Sequence, residues 1–265
     1  MCTIIVLHRV HPEVPTLVAA NRDELYSREA TAPRALCDRP RVLGGLDVAG
    51  GGTWMGVHES GFFAGLTNQR SFGGSDASLR SRGEITLEAL AAGSVEGARR
   101  HLGSIDPRDY NSFNLVYGDA ERLEVAYARR ETGTVEVEAL GPGVHVLTND
   151  RMGSPDFPKA QRAEGLVEPL TDRPLPELAE ALRGVLSDHD LPALEAVPEP
   201  PPGSIFDRAL VRRLQALCIH TPAYGTRSAT LLALSPGRVA RYLFAPGPPC
   251  TTPFEEVSDS VVRAL

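Results

Sequence analysis

Cys2 is the residue whose type and position point most directly to covalent chemistry. A residue as small as cysteine at the second position permits removal of Met1, which would leave a thiol and a free α-amine on one residue. A thiol with a pKa of about 8.5 is a capable nucleophile, and an α-amine with a pKa of about 7.7 to 8.0 can accept its proton. The alternative is that Cys2 is a small apolar residue that starts a buried strand.

A polar tetrapeptide, Asn21 to Glu24, follows the second of two apolar, β-branched runs. These runs lie at residues 3–7 and 16–20. They predict two antiparallel strands, so the chain returns toward its own start and Asp23 can hold the α-amine of Cys2. Alternation along the strand places Asn21 and Asp23 on one face and Arg22 on the other. Taken alone, such a tetrapeptide is more often a solvated turn.

Asn68 and Asn149 each end an apolar run with the sequence Leu-Thr-Asn. Side-chain amides can stabilise the oxyanion of a tetrahedral intermediate, although Thr-Asn at a strand end is also ordinary turn chemistry. Arg227, at the entry to a later strand, could bind a carboxylate or form a structural ion pair. Trp54 follows three glycines and could line a pocket or fill a core.

Composition excludes several classes of function. A net charge of −7 over 265 residues argues against binding nucleic acid by phosphate neutralisation and favours a small-molecule ligand. Of the 27 basic residues only Lys159 is a lysine, which we interpret as a coding bias toward arginine. The first apolar run is too short for a signal peptide or a membrane span, which predicts a cytoplasmic protein.

No metal or cofactor site is evident in the sequence. The four cysteines are far apart and form no Cys-x-x-Cys pair, and the histidines do not have the spacing of metal ligands. We therefore interpret Cys37, Cys218 and Cys250 as ordinary thiols. The glycines at 50–52 match neither phosphate-binding nor dinucleotide-binding patterns.

The elements that must position these residues are strands at both ends of the chain with helices between them. Helices are predicted at 81–92, 94–102 and 174–187, and 204–218 could be helical. Further strands are predicted at 112–117, 123–128, 134–139, 144–147, 226–234 and 238–244. Residues 192–202, with five prolines, read as a linker or a surface loop. No change of composition divides the chain, so we expect one α+β domain over residues 1–265.

These motifs together, in this order, resemble the NRDE family, also called the transport and Golgi organisation protein 2 family. The motifs are Met1-Cys2-Thr3-Ile4, Asn21-Arg22-Asp23-Glu24, Gly51-Gly52-Thr53-Trp54, Leu66-Thr67-Asn68, Leu147-Thr148-Asn149-Asp150 and Tyr224-Gly225-Thr226-Arg227-Ser228. The family looks like a branch of the N-terminal nucleophile hydrolases. That resemblance implies a four-layer αββα sandwich of two antiparallel sheets between helices.

A more distant resemblance is to the cysteine-type amidases of that superfamily, the penicillin V acylases and bile salt hydrolases. It implies that Cys2 is the nucleophile, that Asp23 holds the α-amine and that Asn149 belongs to the oxyanion hole. Asn21 falls on the asparagine of the amidase motif, but the arginine before that asparagine is Ala20 here. An arginine stands instead at position 22. Thr67 competes with Asn68 for the other oxyanion position.

Two functions follow from these resemblances. The first is hydrolysis of a non-peptide amide or a thioester through an acyl-enzyme on Cys2, with no cofactor required. The second is a non-catalytic carrier or chaperone for haem or for an acyl-lipid or coenzyme A ligand on the same fold. The sequence contains no Cys-x-x-Cys-His motif and no histidine that stands out as an axial ligand of haem.

Overall fold

The computed structural model describes residues 2–257, which contain thirteen strands and five α-helices. The strands are β1 (Thr3–His8), β2 (Thr16–Leu25), β3 (Arg34–Asp38), β4 (Arg41–Gly44), β5 (Met55–His58), β6 (Phe63–Asn68), β7 (Phe113–Gly118), β8 (Leu123–Arg129), β9 (Thr134–Leu140), β10 (Gly143–Leu147), β11 (Tyr224–Ser235), β12 (Arg238–Ala245) and β13 (Glu255–Glu256). The helices are α1 (Arg82–Ala91), α2 (Val95–Leu102), α3 (Pro158–Val167), α4 (Leu175–Leu186) and α5 (Arg208–Arg213).

The strands form two antiparallel sheets. Six strands make the first sheet in the order β10-β1-β2-β11-β12-β13, and seven make the second in the order β3-β4-β5-β6-β7-β8-β9. Strands β1 and β2 are neighbours, as the sequence predicted, with Thr3 opposite Asn21. The two strands therefore bring the start of the chain beside the polar tetrapeptide.

Alternating side chains divide the core into three layers. Residues such as Ile4 and Val18 pack against Phe63 and Val116 between the two sheets. The opposite faces of β1 and β2 pack against α3 and α4, and the second sheet packs against α1 and α2. The order of layers is helix, sheet, sheet, helix, which confirms the predicted α+β fold of two antiparallel sheets between helices.

Two serines start the helices that cover the second sheet. The hydroxyl of Ser81 accepts a hydrogen bond from Gly83 N, and that of Ser94 accepts one from Gly97 N. Each bond satisfies one of the amides that a helix start leaves unpaired. The predicted helices at 81–92 and 94–102 are confirmed within one or two residues.

Three segments differ from the prediction. Helix α3 was missed because it begins at Pro158 without a side-chain cap, so its start carries only the proline signal. Strand β2 continues through the polar tetrapeptide to Leu25, and Asn21, Arg22 and Asp23 are buried in it despite their polar side chains. In the segment 204–218 only α5 is α-helical.

No helix within residues 2–257 is both long and apolar enough to cross a membrane. The predicted cytoplasmic location stays a prediction.

Candidate active site

Cys2 and the predicted site residues of β2 lie at one end of the six-stranded sheet. Cys2 directly precedes β1, and the pairing of Thr3 with Asn21 continues toward Arg22 and Asp23. On the other side of β1, Ile4 pairs with Leu147, two residues before Asn149. Residues from three adjacent strands therefore meet where β1 begins.

Cys2 borders a small pocket lined by both sheets, with a cavity volume of about 10 Å³. The other residues that line it are Ile4, Ala20, Asn21, Arg22, Trp54, Met55, Leu66, Ser228 and Thr230. Burial raises the pKa of the Cys2 thiol, and the Asp23 carboxylate adds to that effect. The Asp23 backbone amide, which hydrogen-bonds with the thiol, and the Arg22 guanidinium oppose it. Thiolate formation at Cys2 therefore needs a base or a nearby cation.

Arg22 forms one wall of this pocket together with Trp54. The guanidinium carbon lies 4.5 Å from the centre of the indole ring, and only 5% of Arg22 is exposed. Gly45 permits this arrangement, because a Cβ there would lie 2.0 Å from the indole. A desolvated cation on an aromatic face is held firmly, so Arg22 supplies a fixed positive charge beside Cys2.

Asp23 is buried on the opposite face of β2, as the alternation predicted. Its Oδ1 accepts a hydrogen bond of 2.6 Å from the Thr226 hydroxyl, and its carbonyl oxygen accepts one of 2.7 Å from Tyr224. Burial raises the pKa of the Asp23 carboxyl, whereas the positive charge of Lys159 and the bond from Thr226 oppose the rise. Neighbours thus support the charged form of a carboxylate that burial alone would neutralise.

Lys159 is a component of the site that the sequence did not reveal. It lies at the start of α3 with 1% of its surface exposed, and its Nζ makes no hydrogen bond within residues 2–257. Burial lowers the pKa of Lys159, while Asp23 and Cys2 raise it. The sequence did contain one indication of its importance, because Lys159 is the one lysine among 27 basic residues. We interpreted that fact as a coding bias.

Asn21 is held by the protein itself. Its Nδ2 donates to the carbonyl oxygens of Leu186 and Leu217, both at 2.8 Å. Both amide hydrogens are therefore used to tie β2 to the end of α4 and to the chain before β11. This arrangement gives Asn21 a supporting role in the site.

The two Leu-Thr-Asn motifs meet in space. Asn149 donates from Nδ2 to the carbonyl oxygen of Asn68 at 2.5 Å, which leaves its second amide hydrogen available. The Thr67 hydroxyl donates to the carbonyl oxygen of Thr148 at 2.5 Å and accepts from Asn114 at 3.0 Å. Both the hydrogen and a lone pair of the Thr67 hydroxyl are therefore already engaged with protein atoms.

Arg227 lies at an irregularity of β11, between Thr226 and Ser228. Its Nη1 donates to the carbonyl oxygen of Tyr26 at 2.6 Å, and its guanidinium lies 5.9 Å from the Tyr26 ring. Arg227 is thus beside β2 but does not line the Cys2 pocket. A second arginine, Arg82 at the start of α1, has its pKa lowered to about 10 by burial and by Arg28.

A separate group of donor atoms lies outside this pocket. One donor atom from each of His189, Cys218, His220 and Cys250 lies within 4.8 Å of the other three. The sulfurs of Cys218 and Cys250, which the sequence analysis interprets as ordinary thiols, are 3.6 Å apart. The fold pairs residues that are 32 positions apart, and the only local signal was the Cys-x-His spacing at 218–220.

Comparison with known proteins agrees with this architecture. A family model described as Transport and Golgi organisation 2 matches residues 1–243. The Transport and Golgi organization protein 2 homolog of Bos taurus is 32% identical over 229 residues, which are 82% of this chain and 80% of the relative. The homolog of Homo sapiens is 29% identical over 231 residues, with the same shares.

Solved structures with a similar fold include two forms of one enzyme. A mutant of the conjugated bile acid hydrolase from Clostridium perfringens aligns with a TM-score of 0.55 at 12% identity and covers 97% of each chain. A second variant gives 0.54 at 13% identity and covers 98% of each chain. At these identities the likeness concerns the fold, which is that of the N-terminal nucleophile hydrolases.

Proposed function

We propose that this chain, which belongs to the Transport and Golgi organisation 2 family, is a cysteine-type hydrolase of a non-peptide amide or a thioester. The observation that carries the proposal is the position of Cys2, a thiol at the edge of a pocket with Asp23 buried beside it. The proposed substrate is a small molecule, and the proposed compartment is the cytoplasm.

The proposed reaction begins after removal of Met1. The thiol of Cys2 gives its proton to the new α-amine, and the sulfur attacks the substrate carbonyl carbon to form a carbon–sulfur bond. The carbon–nitrogen or carbon–sulfur bond of the substrate then breaks, and the leaving group takes the proton from the α-ammonium group. Water hydrolyses the resulting thioester on Cys2, which releases the acid and restores the thiol. No cofactor is required.

Neighbouring residues supply the remaining roles. In this proposal Asp23 orients the α-amine, and the charge of Lys159 opposes the rise that burial causes in the Asp23 pKa. The second amide hydrogen of Asn149 donates to the oxyanion, with Asn68 beside it. Arg22 stabilises the thiolate from the pocket wall.

Two further features support a hydrolase. The fold is shared with an enzyme whose name states that it hydrolyses conjugated bile acids. The pocket is mixed in character, with the charged Arg22, the aromatic Trp54 and the hydroxyls of Ser228 and Thr230. Side chains of this mixed character are the kind that contact both an apolar acyl group and a polar leaving group.

The test compares Cys2→Ser with Cys37→Ser on a panel of N-acyl amides and acyl thioesters. We expect Cys2→Ser to lower kcat by about 10³-fold or more, because the serine hydroxyl is a far weaker nucleophile. Cys37→Ser changes a thiol that does not line the pocket, so its turnover should equal that of the unaltered protein.

The carrier function makes the opposite prediction. A protein that binds haem or an acyl ligand without catalysis would show saturable binding that survives Cys2→Ser, with no turnover of any substrate in the panel. That combination would contradict the hydrolase proposal.

A further inference from the structure

Four side chains from three separate parts of the chain converge near the beginning of β11. His189 follows α4, Cys218 and His220 precede β11, and Cys250 follows β12. The Cys218 sulfur lies 3.6 Å from the Cys250 sulfur and 3.7 Å from His220 Nε2, and the latter two atoms are 3.3 Å apart. One ring nitrogen of His189 lies within 4.8 Å of each of these atoms.

These distances match the edges of a tetrahedron around one metal ion. Zinc bonds of about 2.3 Å to sulfur and about 2.0 to 2.1 Å to nitrogen place two sulfurs about 3.8 Å apart and a sulfur and a nitrogen about 3.5 Å apart. The three printed separations lie close to those values. The three separations that involve His189 lie within 4.8 Å, so the fourth donor is also close to this group.

A hydrogen bond orients one of the imidazoles. His189 Nδ1 lies 3.0 Å from the carbonyl oxygen of Cys218. Because a carbonyl oxygen only accepts, Nδ1 carries the hydrogen and Nε2 keeps its lone pair. Donation from the second ring nitrogen to a carbonyl is the usual support of a metal-binding histidine.

We propose that His189, Cys218, His220 and Cys250 bind a structural zinc ion. A set of two sulfur and two nitrogen donors favours tetrahedral zinc, and four protein ligands leave no open position for catalysis. Haem brings four nitrogens of its own and takes one or two ligands, so it does not explain four converging donors. A two-iron cluster would separate the cysteines from the histidines, whereas His220 contacts both sulfurs here.

The zinc site would stabilise the segment that supports Asp23. Ile219 lies between two of the ligands, and its backbone N donates to the Thr226 hydroxyl at 2.9 Å. That hydroxyl in turn donates to Asp23 at 2.6 Å. Zinc binding would thus fix a chain of hydrogen bonds that ends at Asp23. The proposal does not depend on the chemistry of Cys2, because it needs only the four ligands.

The experiment measures zinc in the full-length protein, purified reduced and without chelators, by inductively coupled plasma mass spectrometry. We expect about one zinc per chain. Replacement of the zinc by cobalt(II) should give the visible bands of a tetrahedral ion and a thiolate-to-cobalt charge-transfer band in the near ultraviolet. The cobalt spectrum is recorded on the unaltered protein, so it does not depend on the folding of any variant.

Three variants test which residues bind the zinc ion. Cys250→Ser and His189→Gln should each lose most of the zinc, and Cys37→Ser, a thiol outside the cluster, should keep it. His189 is exposed, so its replacement tests the site even where loss of Cys250 impairs folding. Protein without zinc, a Cys218–Cys250 disulfide detected by mass, or zinc retained in both ligand variants would overturn the proposal.

Discussion

Cys2 and the pair of Cys218 and Cys250 are both thiol sites, but the residues around them differ. Cys2 stands alone at a pocket, beside the fixed cation of Arg22 and the buried carboxylate of Asp23. Cys218 and Cys250 face each other and the histidines, and none of these four residues lines the pocket beside Cys2. One region places a single sulfur at a small pocket, and the other brings four donor atoms together.

This difference shows that the residues around a thiol determine whether it can act as a nucleophile or as a metal ligand. A nucleophile needs one sulfur with access to substrate and a nearby group to take its proton. A structural metal site needs several soft donors at fixed separations and no space for substrate. Loss of function at Cys2 should therefore leave the metal site intact, and loss of the metal should act on Cys2 only through the hydrogen bonds that reach Asp23.

The largest effect after loss of Cys2 itself should come from Asn149→Ala. Removal of one oxyanion donor lowers kcat by about 10² to 10³-fold, because the donor acts mainly in the transition state. Zinc content should not change. Steady-state kinetics and metal analysis on the same preparation check both points, and an increase in KM alone would assign Asn149 to substrate binding.

A smaller effect on turnover should follow from His220→Gln in the metal cluster. Loss of a ligand should lower the free energy of unfolding by about 2 kcal/mol or more, which corresponds to a fall in Tm of about 4 to 8 °C. The kcat should fall less than in Asn149→Ala. If the Tm of His220→Gln equals that of the unaltered protein, with and without zinc, the ion has no structural role.

The smallest effect at neutral pH should come from Lys159→Met. The charge of Lys159 lowers the pKa of Asp23, so its removal leaves the Asp23 pKa higher. If ionised Asp23 is the active form, activity is lost as the pH falls through that pKa, and the acid limb of the kcat/KM profile moves to higher pH. A profile with an unmoved acid limb would show that Lys159 is only a packing residue.

Local patterns in the sequence predicted the α+β class and the pairing of β1 with β2, whereas the order of the layers was implied by the resemblance to a known family. Alternation along residues 16–25 places Asp23 and Arg22 on opposite faces, and the two Leu-Thr-Asn motifs end strands that meet. Serine caps located α1 and α2 in the same way. In each case the information lies within a few neighbouring residues.

The parts that sequence missed depend on contacts between distant residues. Lys159 comes close to Asp23 only when α3 packs on β2. Helix α3 has no side-chain cap, so the sequence did not indicate where the helix begins. Cys250 meets Cys218 through the pairing of β11 with β12 and the loops around them. No spacing rule within one segment contains such information.

The central claim is tested most directly by the mass of the intact protein before and after reaction with a thiol-directed acylating probe. The account predicts a chain that lacks Met1 and takes up one acyl group on Cys2, with the label absent from Cys2→Ser and retained in Cys37→Ser. A fully active protein that retains Met1, or a label that persists in Cys2→Ser, would contradict it.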